Sequence, residues 1–236
     1  SLKQKVQGGI AGIFTALKAG AFLLFLGGMV KFLQSPTFKE LQDKYLPVIA
    51  DGLQSLYDTL TKYGIDHEIW VTNDNSKDNT VEVLTELQKK IPTLTFETNQ
   101  GPNGFGYAVR YGLERFSGDC VAVFMADMSD DPEDLVKYYK TMQSKDVDCV
   151  FGSRWIKGGK VVDYPRHKRV INRVANFIVK MLMRIDYNDT TNAFKLYKRE
   201  TMEGLKPFMS PHFNLTIELP LKAMVRGYSY AVVPNS

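Results

Sequence analysis

The sequence predicts an α/β fold with a mostly parallel central sheet and helices on both faces. Between Glu68 and Phe151, short apolar runs alternate with segments of helical periodicity, a pattern typical of strand–helix–strand units. Polar loops follow several of these runs. The 236 residues, 44% of them hydrophobic and 24% charged, suffice for one large domain or two small ones with a buried core.

Periodicity and turn residues place the elements in order. We expect strands at residues 68–72, 94–97, 119–124, 147–151, 192–197 and 228–233. We expect helices at residues 37–63, 79–90, 166–184 and 213–226. We expect a further helix that opens at the glycine-rich turn 100–106 and runs through 113, and another that begins at 131. The first helix is expected to be interrupted at Pro47, because proline removes a backbone donor.

Residues 1–36 form an apolar N-terminal segment that is expected to be helical. Its longest uncharged run, Ala19–Val30, is shorter than the roughly 20 residues that span a bilayer. Two interpretations stay open, an interfacial membrane helix and a helix packed on the domain, while a membrane-spanning helix is least favoured. Residues 37–236 are expected to form the main domain.

Charge and cysteine usage exclude several classes of protein. A net charge of +4 is compatible with nucleotides or an acidic lipid surface, and it does not indicate nucleic acid. Cys120 and Cys149 lie in apolar runs, which predicts buried free thiols in a reducing compartment. No Cys/His spacing indicates a metal site, and the three histidines lie too far apart in sequence to identify a catalytic one.

Acidic loops follow two of the predicted strands, one at Asp74 and one at Asp127. Loops at the carboxyl ends of parallel strands share one edge of a sheet, where ligands bind. A carboxylate there can accept a hydrogen bond from a nucleoside or hold a divalent cation. For Asp78 and Asp131 we favour helix capping instead, whereas Asp127 ends an apolar strand and precedes no helix directly.

Six segments in order carry a family resemblance. They are VTNDNSKDNT at 71–80, GPNGFGYAVRYG at 101–112, FMADMSDDPEDL at 124–135, FGSR at 151–154, DTTNAFKLY at 189–197 and the helix at 212–227. Together they resemble the family 2 glycosyltransferases. Among these they are most similar to the polyprenol-phosphate sugar synthases, such as the dolichol-phosphate mannose synthases. The resemblance extends from about Leu46 to the end of the chain.

The resemblance implies a GT-A fold, with a Rossmann-like nucleotide half and an acceptor half on one sheet. It implies inverting transfer from a GDP- or UDP-linked nucleotide sugar to a polyprenol phosphate, assisted by Mg²⁺ or Mn²⁺. It further implies a cytoplasmic protein that binds peripherally to a membrane surface.

On the matched positions, the resemblance implies roles for individual residues. Catalytic roles fall to Asp127 and Arg154. The nucleotide sugar would contact Asp51, Asp74, Gly104, Gly106 and Asp127. A metal would bind Asp127 and Ser129, and the acceptor phosphate would bind Arg154, Lys168, Arg169 and Asn172.

Three departures from the family pattern leave alternatives open. The Tyr and Asn that end the family's first strand are absent near Asp51, and the apolar run Ala21–Leu26 is the candidate for a substitute strand. The family's Asp-x-Asp triplet has lost its first acid in this chain. The domain is expected to be truncated at its C-terminus relative to the family. The main alternative is therefore a catalytically impaired GT-A domain that acts as a binding module. A sugar-phosphate nucleotidyltransferase is weaker, because no glycine-rich N-terminal phosphate loop occurs, and the basic cluster at 166–169 is alternatively a solvated helix face.

Overall fold

A computed structural model describes residues 36–76, 78–125, 129–161 and 166–235. The chain divides into two compact units, Ser1–Tyr45 and Leu46–Ser236. The apolar segment before residue 36, with the substitute strand proposed at Ala21–Leu26, lies outside the described residues. Within the described residues, no helix combines the length and the hydropathy that crossing a membrane requires.

The described elements alternate as the sequence predicts. In chain order they are α1 (Pro36–Lys62), β1 (Ile69–Asn73), α2 (Thr80–Lys90), β2 (Leu94–Thr98), α3 (Phe105–Leu113), β3 (Cys120–Ala122), α4 (Pro132–Lys145), β4 (Cys149–Ser153), α5 (Arg166–Met183), β5 (Lys195–Lys198), α6 (Arg199–Gly204), α7 (Leu215–Val225) and β6 (Tyr230–Pro234). The α/β fold class is therefore confirmed.

The strands of the described region form two sheets. Strands β1 and β2 pair in parallel, and the second sheet has the order β3-β5-β4-β6. Strands β4 and β6 are parallel, while β5 runs antiparallel to both β3 and β4. The sequence does not reveal this reversal, because an apolar run has the same pattern in either direction.

The predicted break at Pro47 is wrong. Pro47 lies inside α1, which continues to Lys62. Pro47 is exposed, and the following turns bury Leu53, Leu56 and Leu60 in a core that they share with β1, α2 and β2. Tertiary packing of these turns outweighs the local cost of one proline.

The capping interpretation is confirmed for Asp131. Its side chain accepts a hydrogen bond from Glu133 N at 2.9 Å, and Pro132 occupies the first turn of α4, where a missing N–H costs nothing. Asp78 similarly accepts from Thr80 N at 3.0 Å, at the start of α2. These two carboxylates therefore serve the helices that follow them.

Buried side chains form three clusters. One lies between α1, β1, α2 and β2, and two lie on the second sheet. Phe124 and Leu135 pack against the first cluster and also against the cluster around Tyr138. These two side chains therefore connect the packing of one sheet to that of the other. Cys149 is buried and Cys120 partly buried, and both are free.

Gly152 on β4 provides a test of this packing. A Cβ atom at Gly152 would overlap the Tyr138 hydroxyl and lie 3.0 Å from Phe194 O. We expect Gly152→Ala to lower the free energy of unfolding by about 1–3 kcal/mol, the usual range for overpacking. Urea denaturation measures this change.

Gly118→Ala is the control, because its added Cβ meets only ordinary contacts at 3.4 and 3.9 Å. Adding Tyr138→Phe to Gly152→Ala is expected to restore part of the loss, since it removes the overlapping oxygen. Equal losses for Gly152→Ala and Gly118→Ala would contradict this account of the packing.

Candidate active site

The carboxylate of Asp74 joins the loops that follow β1 and β2. Oδ1 accepts from Asn99 Nδ2 at 2.9 Å, and Oδ2 accepts from Gly104 N at 2.7 Å. Because β1 and β2 are parallel, with Asn73 opposite Thr98, both loops leave the same edge of the sheet. Asp74 therefore lies where the alternation of strands and helices predicts a ligand site.

Amide side chains hold these two loops together. Asn99 is 3% exposed; its Oδ1 accepts from Gly101 N and its Nδ2 also donates to Pro102 O, both at 2.9 Å. Asn75 donates to Asn99 O at 3.0 Å and to Asn103 Oδ1 at 2.7 Å. Asn75 has a φ of 61°, a left-handed conformation that asparagine tolerates better than most residues. The loops are thereby fixed by the chain's own hydrogen bonds.

Gly104 and Gly106 open helix α3 against another loop of the protein. Gly104 has a φ of 142°, in the region that favours glycine. A Cβ at Gly106 would lie 2.5–2.7 Å from main-chain atoms of Ser210, Pro211 and His212. Glycine at 106 is therefore required by internal packing, and the approach of a ligand to either glycine stays a prediction.

Glu218 on α7 holds the loop that packs on Gly106. Its carboxylate accepts from Met209 N at 2.8 Å, Ser210 N at 2.7 Å and Lys222 Nζ at 2.6 Å. Although burial would raise it, these hydrogen bonds lower the pKa of Glu218 to about 2. Glu218 is thus ionised whenever the loop is in place at neutral pH.

The loop after β3 contains the central predicted residue, Asp127, which lies outside the described residues. At the ends of this loop, Asp130 Oδ2 accepts from Met125 N at 2.9 Å, and Ser129 is exposed. The described residues contain no group of three or more His, Cys, Asp or Glu that could hold a metal ion. Metal binding by Asp127 and Ser129 therefore stays a prediction.

A buried carboxylate fixes Arg154 at the end of β4. Asp189 is fully buried, and its Oδ2 accepts from Arg154 N at 3.0 Å and from Arg154 Nε at 2.9 Å. Its Oδ1 accepts from Arg154 Nη2 at 2.7 Å. The guanidinium side chain is 21% exposed. This two-pronged pairing orients the arginine plane and offsets the cost of burying the carboxylate.

Lys195 supports the loop that carries Asp189. It is 1% exposed, and its ammonium group donates to three main-chain oxygens, those of Thr190, Asn192 and Thr216. Burial lowers the pKa of Lys195 to about 7, and the Arg154 charge acts in the same direction, against Asp189 and Asp130. The lysine thus ties the loop at 190–192 to helix α7.

Two asparagines attach α5 to the same loop. Asn172 Nδ2 donates to Thr191 Oγ1 at 2.8 Å, and Asn176 Nδ2 donates to the same oxygen at 3.0 Å. Asn176 is 2% exposed, and its Oδ1 accepts from Thr190 Oγ1 at 2.7 Å. The structure thereby brings α5, with the predicted acceptor residue Asn172, next to the Arg154–Asp189 pair.

Helix α5 presents two further surfaces. Arg169 and Arg173 lie one helical turn apart, and Lys180 follows two turns after Arg173, so the three side chains form one basic edge. Large apolar side chains cover a separate face and are exposed: Val170, Ile171, Val174, Phe177, Ile178, Met181 and Leu182. Arg169 is exposed, while the side chain of Lys168 lies outside the described residues.

Both clusters of side chains lie inside a stretch that matches a known family. The sequence pattern of Glycosyl transferase family 2 matches residues 35–205, which include the Asp74 loops, Arg154, Asp189 and α5. The chain belongs to glycosyl transferase family 2. The family resemblance is therefore confirmed, and five of the six segments lie inside the match.

Two curated proteins are similar in sequence to most of this chain. It is 29% identical over 177 residues to a dolichol-phosphate mannosyltransferase of Pyrococcus furiosus, covering 73% of this chain and 49% of that protein. It is 30% identical over 174 residues to a polyprenol monophosphomannose synthase of Mycolicibacterium smegmatis, covering 70% and 64%. The chain spans about half of the first relative and less than two thirds of the second.

Solved structures of a more distant protein share the GT-A fold. A glucosyl-3-phosphoglycerate synthase of Mycobacterium tuberculosis, crystallised with phosphoglyceric acid, superposes with a TM-score of 0.62 at 16% identity, covering 81% of this chain and 68% of that one. The same enzyme with Mn²⁺, UDP-glucose and phosphoglyceric acid gives a TM-score of 0.57 at 17% identity. At this identity the likeness concerns the fold alone.

The structure places five of the predicted site residues in two clusters. Asp74 and Gly104 belong to the first, on β1 and β2, and Gly106 follows Gly104 in α3; Arg154 and Asn172 belong to the second, near β4 and β5. Asp51 lies within α1 and is exposed, so it follows no strand. Its role in nucleotide binding stays a prediction.

Sequence reasoning missed the side chains that support this site. They are Asn99, Asn176, Asp189, Lys195 and Glu218. A signal existed for three of them: Asp189 and Lys195 lie in the family motif at 189–197, and Glu218 lies in the family segment at 212–227. For Asn99 and Asn176, the partners that join separate segments lie 25 and 14 positions away and leave no local pattern.

The free energy of unfolding at acidic pH tests the role of Glu218. Because its folded pKa of about 2 lies below the ordinary 4.5, its contribution is present above pH 4.5 and is lost as the pH falls towards 2. We expect Glu218→Gln to lower the free energy of unfolding by about 2 kcal/mol at pH 7, as for a hydrogen-bonded charge. Urea denaturation at a series of pH values measures it, and the deficit should shrink between pH 4.5 and 2.

Glu203→Gln is the matched control, since Glu203 is an exposed carboxylate paired with Lys206 three residues away. It should change stability by a few tenths of a kcal/mol at most. A deficit for Glu218→Gln that stays constant with pH would contradict the assignment.

Proposed function

We propose that this family 2 member transfers a sugar from a nucleotide-diphosphate donor to a polyprenyl phosphate at a membrane surface. The observation that carries the proposal is the Arg154 side chain, fixed by Asp189 beside a helix that is basic along one edge and apolar along another. The names of the Pyrococcus and Mycolicibacterium relatives support a polyprenyl phosphate as acceptor.

The reaction needs no strong base. A phosphate monoester is already an anion at neutral pH, so its oxygen can attack the anomeric carbon of the donor sugar directly. The bond from that carbon to the diphosphate breaks, and the nucleoside diphosphate leaves with the electron pair. Attack opposite the leaving group inverts the anomeric centre. The protein must therefore supply position and positive charge, which Arg154 and the basic edge of α5 provide on the acceptor side.

The donor nucleotide is assigned to the loops after β1 and β2. Asp74 and the amide network of Asn99 hold these loops in one conformation before any ligand binds. Such preorganisation lowers the entropic cost of binding. These residues do not distinguish guanine from uracil, so the proposal covers both GDP-linked and UDP-linked sugars.

A Mg²⁺ or Mn²⁺ ion on the donor diphosphate would offset the charge that develops on the leaving group. Asp127 and Ser129 are the proposed protein ligands. Sites of this kind commonly use one or two carboxylates together with substrate phosphates, so a single carboxylate in this loop fits the chemistry. The Mn²⁺ complexes of the Mycobacterium synthase agree with this proposal.

Peripheral membrane binding through α5 completes the proposal. Its apolar face is exposed from Val170 to Leu182, and its basic edge lies beside that face. A helix with this division lies in the headgroup region, with apolar side chains in the acyl boundary and cations near anionic lipid. A lipid acceptor would then present its phosphate at the depth of Arg154.

Transfer assays with Arg154→Lys test the catalytic proposal. Lysine keeps the charge but loses the planar fork that pairs with Asp189 and with phosphate. We expect the wild-type chain to glycosylate farnesyl phosphate from a GDP- or UDP-sugar, and Arg154→Lys to lower kcat/KM for farnesyl phosphate about tenfold or more. Product formation is followed by chromatography.

Lys157→Gln is the control, because Lys157 is exposed in the same loop region and has no assigned role. No transfer from any nucleotide sugar, together with no binding at millimolar concentration, would overturn the proposal. Binding without transfer would instead favour a GT-A domain that acts as a binding module.

Sedimentation with liposomes tests the α5 surface. We expect the full chain to sediment with anionic vesicles and to be released by salt, which screens the basic edge. Replacing Phe177 and Leu182, 65% and 71% exposed, by serine should reduce sedimentation several-fold. Val225→Ser is the control, an equally exposed apolar residue (70%) on α7. Equal sedimentation of both variants would contradict a role for α5.

A further inference from the structure

Two arginines converge on the indole ring of Trp155. The guanidinium carbons of Arg154 and Arg173 each lie 5.6 Å from the centroid of this ring. Arg154 precedes Trp155 directly at the end of β4, whereas Arg173 comes from α5. The electron-rich face of an indole attracts guanidinium groups, which allows it to hold cations at short range.

Only one of the two charges is compensated by a carboxylate that the structure shows. Asp189 pairs with Arg154 through two side-chain hydrogen bonds, whereas Arg173 makes no ion pair within the described part of the chain. Two like charges gathered around one ring repel each other. An anion that contacts both would relieve this repulsion, and phosphate suits the donor geometry of guanidinium groups.

The backbone of Arg173 is held in place independently of any ligand. Its neighbour Asn172 donates to Thr191 Oγ1, and Asn176 bonds the same oxygen and the Thr190 hydroxyl. Thr190 directly follows Asp189 in sequence. The segment that positions Arg154 therefore also positions the helix that carries Arg173, and both guanidinium groups are presented from one rigid framework.

We propose that Arg173 and Arg154 together bind the phosphate monoester of the acceptor, with Trp155 as a positioning residue for both side chains. The inference rests on the proposed function and adds Arg173 to its acceptor site. Phe177 lies four residues after Arg173 and is exposed on the apolar face of α5. A phosphate held by the two arginines would therefore have its alkyl chain leave along that face, which favours a lipid-linked phosphate over free phosphate or the donor diphosphate.

Calorimetric titration of the full chain with farnesyl phosphate tests the role of Arg173. We expect Arg173→Gln to weaken farnesyl phosphate binding about tenfold or more, with Arg173→Lys intermediate. Binding of GDP or UDP should stay within about twofold of wild type. Lys157→Gln is the matched control, because it removes one exposed charge two residues after Trp155, and it should leave farnesyl phosphate binding unchanged.

Tryptophan fluorescence reports on the positioning role of Trp155. The chain has two tryptophans, Trp70 and Trp155, and a bound phosphate would change the electrostatic surroundings of the Trp155 ring. We expect farnesyl phosphate to change the emission of wild type and of Trp70→Phe but not of Trp155→Phe. Trp155→Leu should weaken farnesyl phosphate binding and leave nucleotide binding intact, which a general loss of folding would not do.

The outcomes separate this inference from the proposed function. If wild type binds farnesyl phosphate no better than farnesol or inorganic phosphate, the acceptor assignment itself fails. If wild type binds it but Arg173→Gln matches Lys157→Gln, only the role of Arg173 is overturned. Weaker GDP or UDP binding by Arg173→Gln, with farnesyl phosphate unaffected, would assign the arginine to the donor and overturn the inference.

Discussion

The buried carboxylate of Asp189 determines the geometry of everything around the end of β4. A fully buried charge is unfavourable unless it is paired and hydrogen-bonded, and Asp189 meets both conditions through the main chain and the guanidinium of Arg154. Removal of either partner would leave the other in a poorly solvated position. The pair therefore holds Arg154 in one orientation, which suits its proposed role in phosphate binding.

The reversed strand β5 is what makes this pair possible. Because β5 is antiparallel to β4, with Phe151 opposite Lys195, the residues before β5 run beside the residues that leave β4. Asp189 consequently reaches Arg154 across 35 positions of sequence. In an all-parallel sheet, the segment before β5 would lie at the opposite edge. Lys195 also fixes this segment, because its side chain donates hydrogen bonds to three main-chain oxygens.

Most of the fold was predictable from sequence, because its signals are local. The alternation of apolar runs with helical periodicity identified β1, α2, β2, α4 and β4 close to their observed bounds. The strand at 119–124 proved shorter, Cys120–Ala122, and α1 continued through Pro47, where burial of later turns outweighs local propensity. The direction of β5 was not predictable, because direction is decided by pairing with distant strands.

The candidate site was predictable only at its surface. Asp74 and Arg154 follow strands and belong to family motifs, so position and residue type identified them. Their partners Asn99 and Asp189 act over 25 and 35 positions, and such contacts leave no periodic trace. Gly106 shows the same limit: the motif indicated that a side chain is not tolerated, while the atoms that exclude it belong to the loop at 210–212.

The two clusters of the site lie on different sheets, so the gap between them depends on the core. The Asp74 loops follow β1 and β2, and Arg154 follows β4, while Phe124 and Leu135 pack against the buried clusters of both sheets. Close-packed interiors transmit displacements with little compliance. A smaller side chain at either position would therefore shift the proposed donor loops relative to the proposed acceptor arginines without touching a ligand. Because the proposed transfer requires the attacking oxygen and the anomeric carbon at near-contact distance, the rate should respond to this packing more strongly than the affinity for either substrate alone.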